Sequence, residues 1–390
     1  MKKFFILVLI SIFVIPLSGI LPVKGVDVWF VQYLSLTTIF FFGVSLVLWK
    51  FNKYLSIFTI VCLFSMIFVA NYSFRAILCL MQIDLACLAA YGISKLNRNQ
   101  RRWILRAIVT IVLIQSLWVC VQAMNKDPIF HLVAKDGPYY ELDDTVGFCG
   151  SRNQLGVLLA TTGPVVLTLF PWILPLVIFG LWSSTTSSAW MAFIISCGFL
   201  TYFKSKKIFI FLVISSIIMS AVFFTKFEKA SPFAGIGGRI TPLKRAIVSV
   251  YEGKISIRKQ NVERRITCNP IFGFGLGNFL KIFPHYQANK DENFNTATDK
   301  YAHLHNDIGE ATFELGWSGL ISILLLLLTL FIRFIKAKKT QEVLIYFSCL
   351  SAYLMCAMFI FPTHTAVSGM WLILFYGMYS GVIREQNEKI

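Results

Sequence analysis

The chain is short of charge. Only 14% of its residues are charged and 57% are hydrophobic, where a soluble domain carries about 25% charged residues. That scarcity argues against an ordinary water-soluble protein. Acidic residues are scarcer still, 19 against 36 basic ones. No small-x-small cleavage site precedes Pro22, so the apolar run after Lys2 and Lys3 reads as an uncleaved first span. The nine cysteines show no paired metal-ligand spacing, and most lie in apolar segments where they act as small hydrophobes. Cys149 and Cys268 fall in expected outer loops and are a candidate disulfide pair. The sequence also lacks the internal repeat that marks many secondary transporters.

What the chain has instead is a succession of apolar runs near 20 residues, each enough to cross a bilayer core of about 30 Å as a helix. They lie near 4–21, 29–48, 54–70, 73–93, 103–123, 153–170, 172–183, 186–203, 208–224, 307–332, 342–361 and 366–383. Backbone polar groups in lipid must be satisfied within each span, so the expected fold is an all-α polytopic membrane protein with about 12 transmembrane helices. Gly163-Pro164, Pro171 and Pro175 are expected to break the sixth and seventh runs. Three regions follow: N-terminal helices over 1–123, a central region over 124–335 that includes a long loop at 225–306, and C-terminal helices over 336–390.

The net charge of +17 is placed by this arrangement. Short loops on one side, from Lys2/Lys3 to Arg384/Lys389, hold 18 of the 36 basic residues. The positive-inside rule then puts both termini in the cytoplasm. Charge needed for orientation is poor support for nucleic-acid binding, which we exclude as a partner class. Two longer loops face outward. The first, over 124–152, is mildly acidic, and its Asp143-Asp144 pair reads as solvated rather than as a metal site. The second, over 225–306, is basic and too long for a mere linker. Within it, Thr241 through Tyr251 carries Leu243, Ile247, Val250 and Tyr251 at helical spacing. That predicts a short amphipathic helix on the membrane surface after a flexible turn at Gly235, Gly237 and Gly238. The Gly-x-Gly run in Asn269–Gly277 is turn-rich and is expected to lack the strand–helix surroundings of a dinucleotide fingerprint.

The long loop closes on His303-Leu304-His305-Asn306-Asp307, and the next span opens with Glu310 and Glu314-Leu315-Gly316-Trp317-Ser318-Gly319. Ionisable groups at a membrane boundary mark a site by default. ATP does not reach the outer face, so an enzyme there needs an activated donor. A lipid-linked diphosphate sugar is anionic, amphipathic and energy-rich, and arginine forks suit its phosphates. His305, with a reference pKa of about 6.5, is the candidate base for an acceptor hydroxyl. Asn306 either holds a sugar hydroxyl or orients the imidazole, and His303 supports the site or binds acceptor. Arg239 and Arg245 are candidate phosphate ligands from the loop. Glu314 lies roughly 13 Å along a helix from His305, too far for direct partnership, so it is assigned a structural pairing with a cation. Arg75 and Asp84, in the fourth span, are each either engaged in a structural pairing or, in a transporter, pathway residues.

These residues resemble the bacterial O-antigen ligase and polymerase family. The resemblance rests on His305-Asn306, nine residues, Gly316, two residues and Gly319, with His303 ahead of it. Gly238-Arg239-Ile240, Asn269–Gly275 with Asn278-Phe279, and Gly150–Gly156 extend it, so that it covers about 145–335. Ser188 stands where relatives often have arginine, and Arg152 is the candidate substitute. The segment Ile255–Arg265 lengthens the interval between Arg239 and Pro270. The resemblance implies a C-type glycosyltransferase architecture with 225–306 as a periplasmic loop. It implies an inverting, metal-independent, cofactor-free transferase of the bacterial inner membrane. The donor would be a glycan on undecaprenyl diphosphate. The acceptor would be lipid A-core for a ligase, a second lipid-linked glycan for a polymerase, or a protein hydroxyl. His305 and Arg239 would be catalytic, Arg152, Arg245, His303 and Asn306 would bind substrate, and Glu314, Gly316 and Gly319 would be structural. The rival of another class is a polysaccharide flippase.

Overall fold

The computed structural model describes residues 41–70, 74–124, 149, 152–204, 236–259, 262–290, 306–359 and 366–388. The expected spans at 4–21 and 208–224, most of that at 29–48, the Asp143-Asp144 pair, and both His303 and His305 lie outside the described residues.

Apolar runs become helices here because no other local structure satisfies backbone groups in lipid. In chain order these are α1 (Phe41–Phe51), α2 (Lys53–Phe68), α3 (Phe74–Ile93), α4 (Arg98–Ala123), α5 (Arg152–Leu169), α6 (Leu174–Ser183) and α7 (Ser187–Lys204). After these come α8 (Ile236–Glu252), strands β1 (Lys254–Lys259) and β2 (Val262–Thr267), α9 (Phe279–Lys290), α10 (Asp307–Lys336), α11 (Gln341–Ala357) and α12 (Ala366–Asn387). Among the described residues, three helices are long and apolar enough to cross a membrane: Arg75–Ile93, Arg98–Ala123 and Asp307–Lys336. Polar signals set the ends. Asn97 and Gln100 form a reciprocal capping box at the start of α4, and Thr340 caps α11.

The expected break at Gly163-Pro164 is corrected. Helix α5 runs through both residues, and every side chain from Leu155 to Val166 is buried. A Cβ on Gly163 would stand 2.5 Å from the Phe193 ring, so the glycine serves close packing on α7. Proline inside a span is tolerated where neighbouring structure compensates the lost N–H. Pro171 does interrupt the chain, opening a short 3-10 turn. Pro175 sits in the first turn of α6, where a missing N–H is harmless.

The chain forms two compact units, each assembled from segments distant in sequence. One comprises 1–91, 242–304 and 308–332, the other 92–241, 305–307 and 333–390. In the second unit α5, α7 and α11 pack on one another, α12 packs on α11 and α5, and α6 on α4 and α5. Phe334 and Phe347 stack at 4.0 Å between centroids, with Phe199 against both. Arg101, only 1% exposed, forks onto Glu385 at 2.7 and 2.8 Å and reaches Glu342 at 3.4 Å. That bidentate geometry ties the ends of α4, α11 and α12.

The described part of the long loop in the first unit is folded. Its core joins Ala246 and Val250 of α8 to Cys268, Phe274, Phe279, Ile282, Phe283, Tyr286 and Phe313. The described residues are mostly helical, as expected of an all-α membrane protein, and the loop adds one antiparallel hairpin that pairs Lys254 with Thr267 through Lys259 with Val262. The basic segment Ile255–Arg265 that lengthens the loop is this hairpin. The amphipathic helix exists, but it starts at Ile236, so Gly237 and Gly238 lie in its first turn rather than in a flexible turn. Its inner stripe of Ala246, Ser249 and Val250 is covered by protein, while Tyr251 is 82% exposed. Residues four apart share a face, and Tyr251, one position beyond Val250, points away.

Candidate functional site

The centre of the first unit is a break in a membrane helix. Within α10, Gly316 has φ 63° and ψ −156°, a backbone region essentially reserved for glycine. In an unbroken helix the Trp317 N–H would bond the Phe313 carbonyl, and the Ser318 N–H the Glu314 carbonyl. Here the turn segment from Asn269 onward enters the gap and takes both pairs. Trp317 N–H donates to the Pro270 carbonyl at 3.0 Å and Ser318 N–H to that of Ile271 at 3.1 Å. In return Phe274 N–H donates to the Phe313 carbonyl and Gly275 N–H to that of Glu314, both at 3.0 Å. Two helical bonds are replaced by four, leaving none of these groups orphaned.

Local chemistry shapes the inserted turn. The Asn269 side chain accepts the N–H groups of Ile271 and Phe272, the self-capping turn that Asn favours. Asn269 and Gly273 exchange backbone bonds in both directions. Ser65 of α2 clamps the junction: its hydroxyl meets the carbonyls of Phe272 and Glu314 at 3.2 Å and accepts the Leu276 N–H at 3.1 Å. Sequence reasoning missed Ser65 because nothing local distinguishes it from any other span serine. A strand pair does precede the Gly-x-Gly run, and α9 follows it, contrary to expectation. Even so, the glycines approach protein backbone rather than an open phosphate cradle. Cβ atoms on Gly273, Gly275 and Gly277 would meet Gly316, Ala70 and Ala76 within about 3 Å.

Glu314 is structural by a different means than expected. No cation among the described residues pairs with it. Its buried carboxylate accepts the Phe279 N–H at 2.9 Å and also the Gly277 N–H, so it caps the N-terminus of α9 from another helix. Backbone donors leave no letter in a sequence, which is why a cation was expected. Glu314→Ala is expected to lower stability by about 2 kcal/mol, within the range for buried donors left without a partner. Glu314→Gln, which keeps one acceptor oxygen, is expected to lose less than half of that. Thermal unfolding of detergent-purified protein reads both, and limited proteolysis of α9 locates the loss. Equal stability in all three proteins would remove the capping role.

The remaining described candidates each have their own local surroundings. Asn306 is buried, and its amide donates to the Met358 carbonyl at 2.7 Å. Asp307 lies close enough to Tyr353 to act on it electrostatically. Arg152 is exposed at the start of α5, and its carbonyl accepts the Thr186 hydroxyl at 3.2 Å. That brings the chain at Arg152 to the start of α7, two residues before Ser188. Arg239 lies in the first turn of α8. Arg245 is half-buried further along α8, within electrostatic reach of Tyr286. Tyr286 donates to Glu252 at 3.0 Å, and burial together with that carboxylate pushes its phenol up. Gly319 is buried in α10. Cys149 and Cys268 are both free thiols, and burial pushes them up to about 11 and about 12. Arg75 is exposed, and Asp84, 1% exposed, has neither oxygen hydrogen-bonded among the described residues. Among the described residues no group of three or more His, Cys, Asp and Glu is placed to hold a metal. No protein-family model matches the chain, and no curated protein matches it in sequence.

Proposed function

We propose that this chain is a membrane glycosyltransferase that moves a glycan from undecaprenyl diphosphate to an acceptor hydroxyl at the periplasmic face. Among such enzymes we assign it to the O-antigen ligase type, with lipid A-core as acceptor. The observation that carries the reading is the junction at Gly316. Asn269–Gly275 and the helix stretch that carries Gly316 and Gly319 are two of the segments behind the family resemblance, and they are spliced together by backbone bonds. A loop locked into the helix that follows the His303–Asn306 run in sequence suits a site where donor phosphate, acceptor and base must be held in register. The closeness of Arg152 to the start of α7 supports Arg152 as the cation standing in for Ser188. In this mechanism arginines, with Arg239 foremost, hold the diphosphate and stabilise it as it leaves. His305 accepts the proton of the attacking hydroxyl.

The test is transfer by purified full-length protein in detergent, with lipid-linked glycan and lipid A-core. Product formation without a sealed compartment supports the transferase. In cells, deletion is expected to leave long lipid-linked polymer unattached to lipopolysaccharide. Lipopolysaccharide bearing single repeats would instead identify a polymerase, and unmodified protein acceptor would identify a protein glycosyltransferase. A transporter is favoured by one observation, the buried carboxyl of Asp84 inside a span, which has no hydrogen-bond partner among the described residues. Movement of lipid-linked glycan across sealed vesicles, with no joining in detergent, would decide for it.

A further inference from the structure

A second polar site lies in the unit formed by 92–241, 305–307 and 333–390. Where α4, α5, α11 and α12 meet at their ends, a crevice of about 530 Å³ is lined by Arg98, Arg102, Arg106, Glu342, Glu385 and Phe170, among others. The two carboxylates are already engaged. Glu385 is held by Arg101, and Glu342 by Arg98 at 2.9 Å and by Arg101. Arg102 and Arg106, one helical turn apart and both exposed, pair with no carboxylate among the described residues. The crevice therefore presents uncompensated positive charge on a rigid, ion-paired frame. Its edge is amphipathic. Trp103 and Trp172 are each 66% exposed, and the Arg106 guanidinium stacks over the Trp103 ring at 4.9 Å. Exposed Trp at the end of a span marks the headgroup level of a bilayer. Below Trp103 the outer face of α4 continues with exposed Ile111, Ile114 and Leu117, a surface for acyl chains.

We propose that this crevice binds the phosphodiester headgroup of an anionic membrane lipid, with Arg102 and Arg106 as its phosphate ligands. Orientation of the protein needs positive charge on this side, but it does not need a walled crevice with its carboxylates neutralised. The continuous apolar face under the aromatic rim favours a lipid over free phosphate. The inference depends on the chain being a membrane protein and not on the transferase reading.

The experiment titrates phosphatidylglycerol into full-length protein in zwitterionic detergent, following tryptophan fluorescence and retained lipid by native mass spectrometry. The double variant Arg102→Gln/Arg106→Gln is expected to bind roughly 25-fold more weakly, at about fivefold per arginine. Lys50→Gln/Lys336→Gln removes the same charge from exposed positions outside the crevice and is expected to bind like wild type. Phosphatidylcholine is expected to bind far more weakly, and millimolar inorganic phosphate is not expected to displace the lipid. Undiminished binding by the arginine variant overturns the proposal. So does equal weakening by the lysine variant, which would make the effect diffuse surface charge. Full displacement by inorganic phosphate overturns the lipid assignment. An arginine variant that fails to purify is replaced by Arg102→Lys/Arg106→Lys, which keeps charge but not the fork. It is expected to bind more weakly than wild type yet better than phosphatidylcholine binds wild type, and wild-type affinity in it overturns the assignment to these guanidinium groups.

Discussion

Gly316→Ala is expected to prevent accumulation of stably folded protein. Three penalties coincide at this residue. Its backbone conformation is one that a side chain disfavours by about 1–3 kcal/mol. A Cβ there would lie 2.5 Å from the Gly273 nitrogen and within 2.7 Å of the Pro270 and Ile271 carbonyls, and such overpacking adds about 1–3 kcal/mol. The clashing atoms are backbone, so no rotamer relieves them. Moving the turn away forfeits the four bonds that replace the helix's own. The sum is comparable to the whole stability of a typical domain, about 5–15 kcal/mol. Gly273→Ala, whose Cβ would stand 2.5 Å from the Gly316 nitrogen and the Phe313 carbonyl, is expected to behave the same way. The double variant should be far less destabilised than the sum of the two, because both open the same contact. Gly92→Ala is the control, since a Cβ there meets nothing within 4 Å. Size-exclusion profiles and thermal unfolding in detergent read the series. A Gly316→Ala protein melting within a few degrees of wild type would mean that the turn is not locked into the helix.

The sequence made the helices legible and left the junction obscure, for one physical reason. A span announces itself through a long apolar run, so 103–123 or 307–332 could be placed from composition. The bonds at Gly316 are backbone to backbone and could be made by many residue types. Only the glycines and Asn269 betray them, and a glycine does not say what approaches it. Ser65 bonds to a carbonyl 249 residues away, which no local pattern encodes. The hairpin was closer to legible. Ile255 and Ile257 alternate with polar residues at period two, the signature of a strand, but the density of Lys and Arg made the segment look like solvated loop. Pro164 misled in the opposite direction, because the rule that proline ends a helix is weaker where a buried bundle surrounds it. The candidate base and the main phosphate ligand rest on sequence pattern, whereas Glu314, Gly316 and Asn306 acquire their roles from geometry.

That division sets up the sharpest test of the catalytic reading. His305→Ala is expected to slow glycan transfer by about 10²–10⁴, the usual contribution of a positioned acid or base. The base must be unprotonated to accept the hydroxyl proton. Wild-type transfer should therefore fall as pH drops through the imidazole pKa, near 6.5 for an unperturbed histidine, and the alanine variant should lose that limb. A structural histidine would not produce this pH signature. Asn306 supplies the contrast. It follows His305 directly and anchors the start of α10 to the Met358 carbonyl, so Asn306→Ala is expected to lower both melting temperature and transfer. His305→Ala should lower transfer alone. If His305→Ala transferred glycan at the wild-type rate, the imidazole would have no part in the reaction. If it lost stability in proportion to activity and kept the acid limb, His305 would join Asn306 as part of the anchor, and another group would have to take the proton.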